Sequence, residues 1–238
     1  RRSHWRCLGI LHASINPMIS TILRLPDVQW FRSLHYGGNH VCLWWAILPD
    51  GGLHIPRELV KGKCLIADLA KEIRTITRDL GLTEQQDAHN HRQGFIRYTV
   101  ADDKAMTGKS PKGADGETRA DTFRNNGIVI RESTHDEAQG WTRVAELLGT
   151  RPDGRPMLTI APECVQLIRA LTNAVSDPND EELLLESAND QPLRALRIGA
   201  MSRPSPKPLD PLPLKTHAIG HLVNEIRSGS STNTLEWK

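Results

Sequence analysis

The stretch "HVCLWWAILPDGGLHIPREL", residues 40–59, decides the fold. Two runs rich in Val, Ile, Leu and Trp flank "PDGG", and a turn of this kind between apolar runs is a strong hairpin signal. "VQWFRSLHYGG", starting at Val28, precedes it as a third run of the same character. Three consecutive antiparallel strands are predicted.

Downstream the period changes. "CLIADLAKEIRTITRDL", Cys64 to Leu80, sets Leu65, Leu69, Ile73 and Ile76 at helical spacing, with Gly81 able to cap the end. "GFIRYTVAD" at 94–102 reads as a strand, "GETRADTFRNNG" as a helix closed by Gly127, "IVIRES" as a strand and "DEAQGWTRVAELLG" as a helix ending at Gly149. "RPDGRPMLTI" turns at Asp153 and Gly154 into a short strand, and "ECVQLIRALTNAV" is helical. From Glu181 to about Met201 the pattern is broadly helical, with Asp177 or Asn179 suited to a cap and Pro192 expected to kink or interrupt it. This order is the ribonuclease H-like α/β arrangement: a mixed sheet of three antiparallel strands, then alternating helices and strands, flanked by helices. Order alone gives a fold class and no function.

The 238 residues suffice for one good core with extensions. We expect a lead-in or linker over 1–27, the folded domain over 28–203 and a proline-rich linker with a flexible tail over 204–238. The net charge of +2 means that a nucleic-acid contact needs a local basic face. Cys7, Cys42, Cys64 and Cys164 form no C-x-x-C pair, which argues against a zinc ribbon or disulfide scaffold and for reduced thiols. The longest apolar run, "VCLWWAIL" at 41–48, falls far short of the roughly 20 residues of a membrane span, so a soluble protein without a membrane partner is expected. The chain opens on "RRSHW" and not on methionine, which suggests a fragment of something longer.

Two features compete for chemistry in residues 97–130. "GKS" at 108–110 fails as a phosphate loop, because the position five residues before Gly108 is Asp103 and Pro111 prevents a helix from opening directly after it. Asp102 and Asp103 instead follow the strand "FIRYTVA", at the strand end where open α/β sheets present their sites. One carboxylate is not enough for two-metal phosphodiester hydrolysis, which holds its ions about 4 Å apart between carboxylates from several elements. The contiguous "HNH" at 89–91 is a polar turn, and His217 with His221, four apart, lacks an accompanying Glu. Trp44, Trp45 and Trp141 read as core.

Taken together, "YTVADDKAM", "GETRADTFRNNGI", "GWTRVAELLGTRPDGRPMLTIAPECVQLIRAL" and "SDPNDEELLLESANDQPLRALRIGAMSRPSP" resemble, in order, the motifs of the C-terminal nuclease domain of the large terminase subunit of tailed bacteriophages. "RSLHYGGNHVCLWWAILPDGGLHIPREL" is similar to that family's first strands, so the resemblance runs from about Trp30 to Pro206. It implies a Mg2+- or Mn2+-dependent endonuclease that cuts double-stranded viral DNA during genome packaging, in the host cytoplasm, with the portal protein and the terminase small subunit as partners. In the family an ATPase domain precedes the nuclease. No Walker pair occurs in these residues.

Carried over residue by residue, the family's second aspartate maps onto Asp102, followed by Asp103 where proline is usual. The first maps onto His35 and the third onto Arg194, so two of three metal carboxylates are replaced. An imidazole suits Mn2+ better than Mg2+, and a guanidinium cannot ligate a cation. Asp190, one turn before Arg194, could join His35 and Asp102 around a single metal, with Asp103 adjacent. If these residues do not converge, a catalytically silent DNA- or portal-binding module on the same fold is the alternative. Lys104, Lys109, Lys112 and Arg119 surround Asp102 in sequence as candidate contacts to DNA phosphates. Glu58 matches a family glutamate, with a structural or edge role expected.

Overall fold

The computed structural model describes residues 22, 27–84, 94–102, 105–106, 117–133, 136–151, 153–175 and 190–203. Among these, seven strands form one mixed sheet. β1 (Gln29–Tyr36), β2 (His40–Ile47) and β3 (Leu53–Lys61) are the antiparallel hairpins expected from the opening runs. At "PDGG", Leu48 N–H donates to the Gly52 carbonyl, the Asp50 carboxylate accepts from Gly52 N–H at 2.9 Å, and Gly51 takes φ of 82°, a conformation that glycine adopts freely.

After helix α1 (Ile66–Asp79), β5 (Phe95–Ala101) lies parallel to β1, and β4 (Thr83–Glu84) and β6 (Ile130–Glu132) pair with its two ends. β7 (Leu158–Ile160) adds in parallel to β3, giving the order β4-β5-β1-β2-β3-β7 with β6 also on β5. The fold class is therefore the α/β, ribonuclease H-like arrangement expected from sequence. The two-residue β4 was not anticipated, since so short a strand has no periodicity to read.

Helices cover both faces. α1 and α2 (Arg119–Asn125) lie on one, and α3 (Glu137–Leu147), α4 (Val165–Thr172) and α5 (Gln191–Met201) on the other. β2 shows why its sequence is a continuous apolar run. Val41, Leu43, Trp45 and Ile47 enter the α3–α5 core while Cys42, Trp44 and Ala46 enter the α1–α2 core, so every side chain of the strand is buried. The indoles stay satisfied: Trp44 Nε1 donates to Thr77 Oγ1 at 3.1 Å and Trp45 Nε1 to Ser33 Oγ at 2.9 Å. Trp141 is buried in the α3–α5 core as expected. Ile22, inside the expected lead-in, is buried in the α1–α2 core.

Pro192 does not break its helix. It stands in the first turn of α5, where proline's missing N–H costs nothing and its fixed φ favours initiation. Gly199 then lets α5 settle on the sheet, since a Cβ there would lie 2.3 Å from the Trp45 ring. No helix among the described residues is long and apolar enough to cross a membrane. The tail at 204–238, the "HNH" run and the "GKS" loop lie outside the described residues.

Candidate functional site

The parallel register of β1 and β5 creates the site. Leu34 pairs with Ala101, and both enter the α1–α2 core, so the next residue on each strand, His35 and Asp102, faces the α3–α5 side. His35 Nδ1 lies 2.6 Å from Asp102 Oδ2, with the two side chains 7% and 19% exposed. Tyr36 N–H donates to the same carboxylate at 3.2 Å, and Ala105 N–H reaches Oδ1 at 3.2 Å. Gly37 closes over the imidazole, leaving no room for a Cβ, which would sit 2.4 Å from His35 Nε2. Asp102 is thus held from several sides at the strand end.

The opposite face of the strand end carries an aromatic stack. Tyr36 pairs across the hairpin with His40, their rings 4.3 Å apart, and the Arg119 guanidinium lies over Tyr36 at 5.1 Å. Arg119 opens α2, whose N-terminus is fixed by a capping box between Thr118 and Asp121. Burial pushes the His40 pKa down. His35 adds to that, Asp102 opposes it and Arg119 adds again. Burial raises the Tyr36 pKa, against the Arg119 charge.

Asp190 occupies the N-cap position of α5, and its carbonyl accepts from Arg194 N–H at 2.9 Å. It lines a cleft of about 130 Å3 with Asn39, Gln166, Arg169 and Asn173, a lining that does not include His35 or Asp102. Among the described residues no three His, Cys, Asp or Glu side chains gather as a metal site requires, so the expected union of His35, Asp102 and Asp190 is not formed. The physical reason lies in α5. Starting at Gln191 and running across β2 and β1, it leaves Asp190 over the β3 and α4 edge, and brings Arg197 rather than a carboxylate within the field of Asp102. Asp103, Lys104, Lys109 and Lys112 lie outside the described residues.

A divalent cation needs several oxygen or nitrogen ligands with uncommitted lone pairs. Here Asp102 is engaged by His35, Tyr36 and Ala105, the imidazole has turned Nδ1 to that carboxylate, and Arg197 of α5 lies within its field. The described residues do not fit such an ion.

Glu58 has the structural role expected. From β3 its carboxylate accepts the N–H groups of Gln166 at 2.7 Å and Leu167 at 2.9 Å, capping α4 from another element. Sequence reasoning missed Arg197. The signal was present in its spacing, since Asp190, Arg194 and Arg197 recur at helical intervals on one face.

The sheet order and the crossovers define a ribonuclease H-like α/β fold. More particularly, the fold is that of the nuclease domain of phage large terminases. The chain is similar to the large terminase of a thermophilic bacteriophage, with a TM-score of 0.52 and 18% identity over 76% of this chain and 41% of that one. It is similar to the large terminase nuclease domain of bacteriophage SPP1 with bound Mn, at a TM-score of 0.50 and 16% identity over 80% of this chain and 90% of that one. The P22 large terminase nuclease domain matches at 0.52 and 14% identity, over 76% and 91%. The chain spans about two fifths of the length of the thermophilic phage's large terminase. No family model and no curated protein matches the chain.

Proposed function

We propose that this chain is the nuclease-type domain of a phage terminase large subunit, engaging double-stranded DNA in genome packaging without metal-dependent cleavage of its own. The observation that carries the reading is the His35–Asp102 pair at 2.6 Å, which occupies the strand end where two-metal hydrolysis needs uncommitted carboxylates. One carboxylate already engaged by an imidazole at 2.6 Å cannot position two ions, activate water and stabilise a leaving oxygen. The likeness of fold supports DNA as the ligand, with Arg119 and, by sequence position, Lys104, Lys109 and Lys112 as phosphate contacts. The portal protein and the terminase small subunit are the protein partners this reading assigns.

Nicking of supercoiled plasmid with Mn2+ or Mg2+, beside a gel-shift titration on linear duplex, tests the proposal. The expected outcome is salt-sensitive binding with no metal-dependent nicking. Metal-dependent nicking that disappears in Asp102→Ala would return the chain to the active endonucleases.

A further inference from the structure

An aromatic stack runs from the core to the outer edge of the sheet. The rings of Trp45 and Phe31 lie 5.4 Å apart with 16° between their planes, and Phe31 stacks in turn on Tyr98 at 5.1 Å and 19°. Trp45 and Phe31 are fully buried on β2 and β1, and Tyr98 is half-buried on β5. The stack ends in a charge. Arg131 of β6 is exposed, and its guanidinium lies 5.4 Å from the Tyr98 ring centroid. β1 and β6 flank β5 on opposite sides, so Phe31 and Arg131 enclose Tyr98 between them. The Tyr98 hydroxyl, 3.4 Å from Ser202 Oγ, ties the ring to the end of α5.

A second arginine stands on the same edge. β4 pairs with Phe95 and Ile96 and β6 with Thr99, Val100 and Ala101, so Arg97 and Tyr98 are the residues of β5 whose outer side no described strand covers. Arg97 is exposed there, its guanidinium 5.9 Å from the Phe95 ring centroid. Exposed arginines elsewhere are matched by acids: Arg124 pairs with Asp121, and Arg155 with Asp50 and Asp153. Neither Arg97 nor Arg131 takes part in an ion pair among the described residues. A guanidinium held over a ring loses rotamer freedom and keeps its N–H donors, which suits it to the oxygens of a phosphodiester. Tyr98, enclosed on both sides, offers no free face on which a base could stack.

We infer that the outer edge of β5, with Arg131 on its aromatic support and Arg97 beside it, is a contact for the phosphodiester backbone of duplex DNA, indifferent to base sequence. This deepens the reading of a DNA-engaging domain and rests on it. Arg131 pairs with Val100, two residues before Asp102, so the contact lies about 7 Å along the strand from that carboxylate. Duplex held on this edge borders the His35–Asp102 strand end. Contacts of this kind fix position and orientation on the duplex and read no bases.

Gel-shift titration of the full chain on linear duplex, over a series of salt concentrations, tests this on wild type, on Arg97→Gln with Arg131→Gln, and on the matching pair of Lys substitutions. Each phosphate contact adds about 0.9 to the salt slope of binding, so the Gln pair is expected to lower the slope by about 1.8 and to bind roughly tenfold more weakly, whereas the Lys pair keeps the slope. Arg57→Gln, which removes an exposed charge from β3 on the far side of β1 and β2, is expected to match wild type. Unchanged affinity and slope in the Gln pair, or an equal loss in Arg57→Gln, overturns the inference, and so does tighter binding of single strands than of duplex. If the Gln pair does not fold, phenylglyoxal modification of wild type, read by mass spectrometry, takes its place. Duplex must then shield both Arg97 and Arg131, and unchanged reactivity at either overturns the inference equally. Wild type that binds no duplex defeats the proposed function together with this contact, whereas wild type that binds duplex no better than the Gln pair defeats only the contact.

Discussion

His54 shows how far a single residue's chemistry departs from its sequence context. It lies on β3, 2% exposed, with Nδ1 within 2.8 Å of Thr159 Oγ1 and Nε2 lacking a hydrogen-bond partner. Burial lowers its pKa to about 4, against the Glu163 charge and the Thr159 contact. In the unfolded chain a histidine titrates near 6.5. The unfolded state therefore takes up the proton first as pH falls. Stability is full above about pH 6.5 and is lost as pH drops toward 4, by roughly 3 kcal/mol for a shift of this size. Denaturant titrations near neutrality and near pH 4 are expected to show this loss in wild type and a smaller one in His54→Gln. At this scale the sequence marked His35 and Asp102 as candidates, but their 2.6 Å contact needed the β1–β5 register, which no local pattern encodes. Arg197 was harder still to read, because its ion-pair partner Glu137 comes from α3, far away along the chain.

Among the elements, α4 depends on a residue outside it. Its own first turn contains no acidic residue and Cys164 makes no side-chain cap, so the Glu58 carboxylate supplies the acceptors from β3. Burial raises the Glu58 pKa although the two N–H groups and Arg57 act to lower it. Glu58→Ala is expected to destabilise the protein by about 1–3 kcal/mol, since two N–H groups lose their partner, and Glu58→Gln by less because one oxygen remains. The midpoint of urea unfolding, with its slope unchanged, measures both. Hairpin chemistry at "PDGG" and the helical period of α1 were legible because each is local. Pro192 was expected to kink or interrupt a helical stretch from Glu181; in the described residues it stands in the first turn of α5, and 181–189 lie outside them. A proline inside a run of apolar residues looks the same whether it interrupts a helix or begins one, and only the position of the preceding chain distinguishes them.

Across the whole molecule, Arg32 ties four elements through the α1–α2 side of the sheet. Its guanidinium forms a two-pronged pair with Glu84 of β4, at 2.8 and 2.7 Å, and donates to Thr77 of α1 and Thr99 of β5. With both side chains at most 9% exposed, losing one partner strands a buried charge. Arg32→Met alone is expected to cost about 3–5 kcal/mol, and Arg32→Met with Glu84→Met distinctly less than the sum of the single changes. A double-mutant cycle by chemical denaturation gives that coupling. The sequence by itself determined the order of strands and helices and the continuous burial of β2, because hydrophobic period and turn chemistry are properties of neighbouring residues. It also singled out Asp102, as a carboxylate at a strand end. Tertiary structure alone decided what surrounds that carboxylate: His35 across the parallel ladder, Tyr36 N–H beneath it and Arg197 within its field from the closing helix. Electrostatic partnership depends on distance in space, and separations of some 70 and 100 residues along the chain leave no trace of it in local pattern.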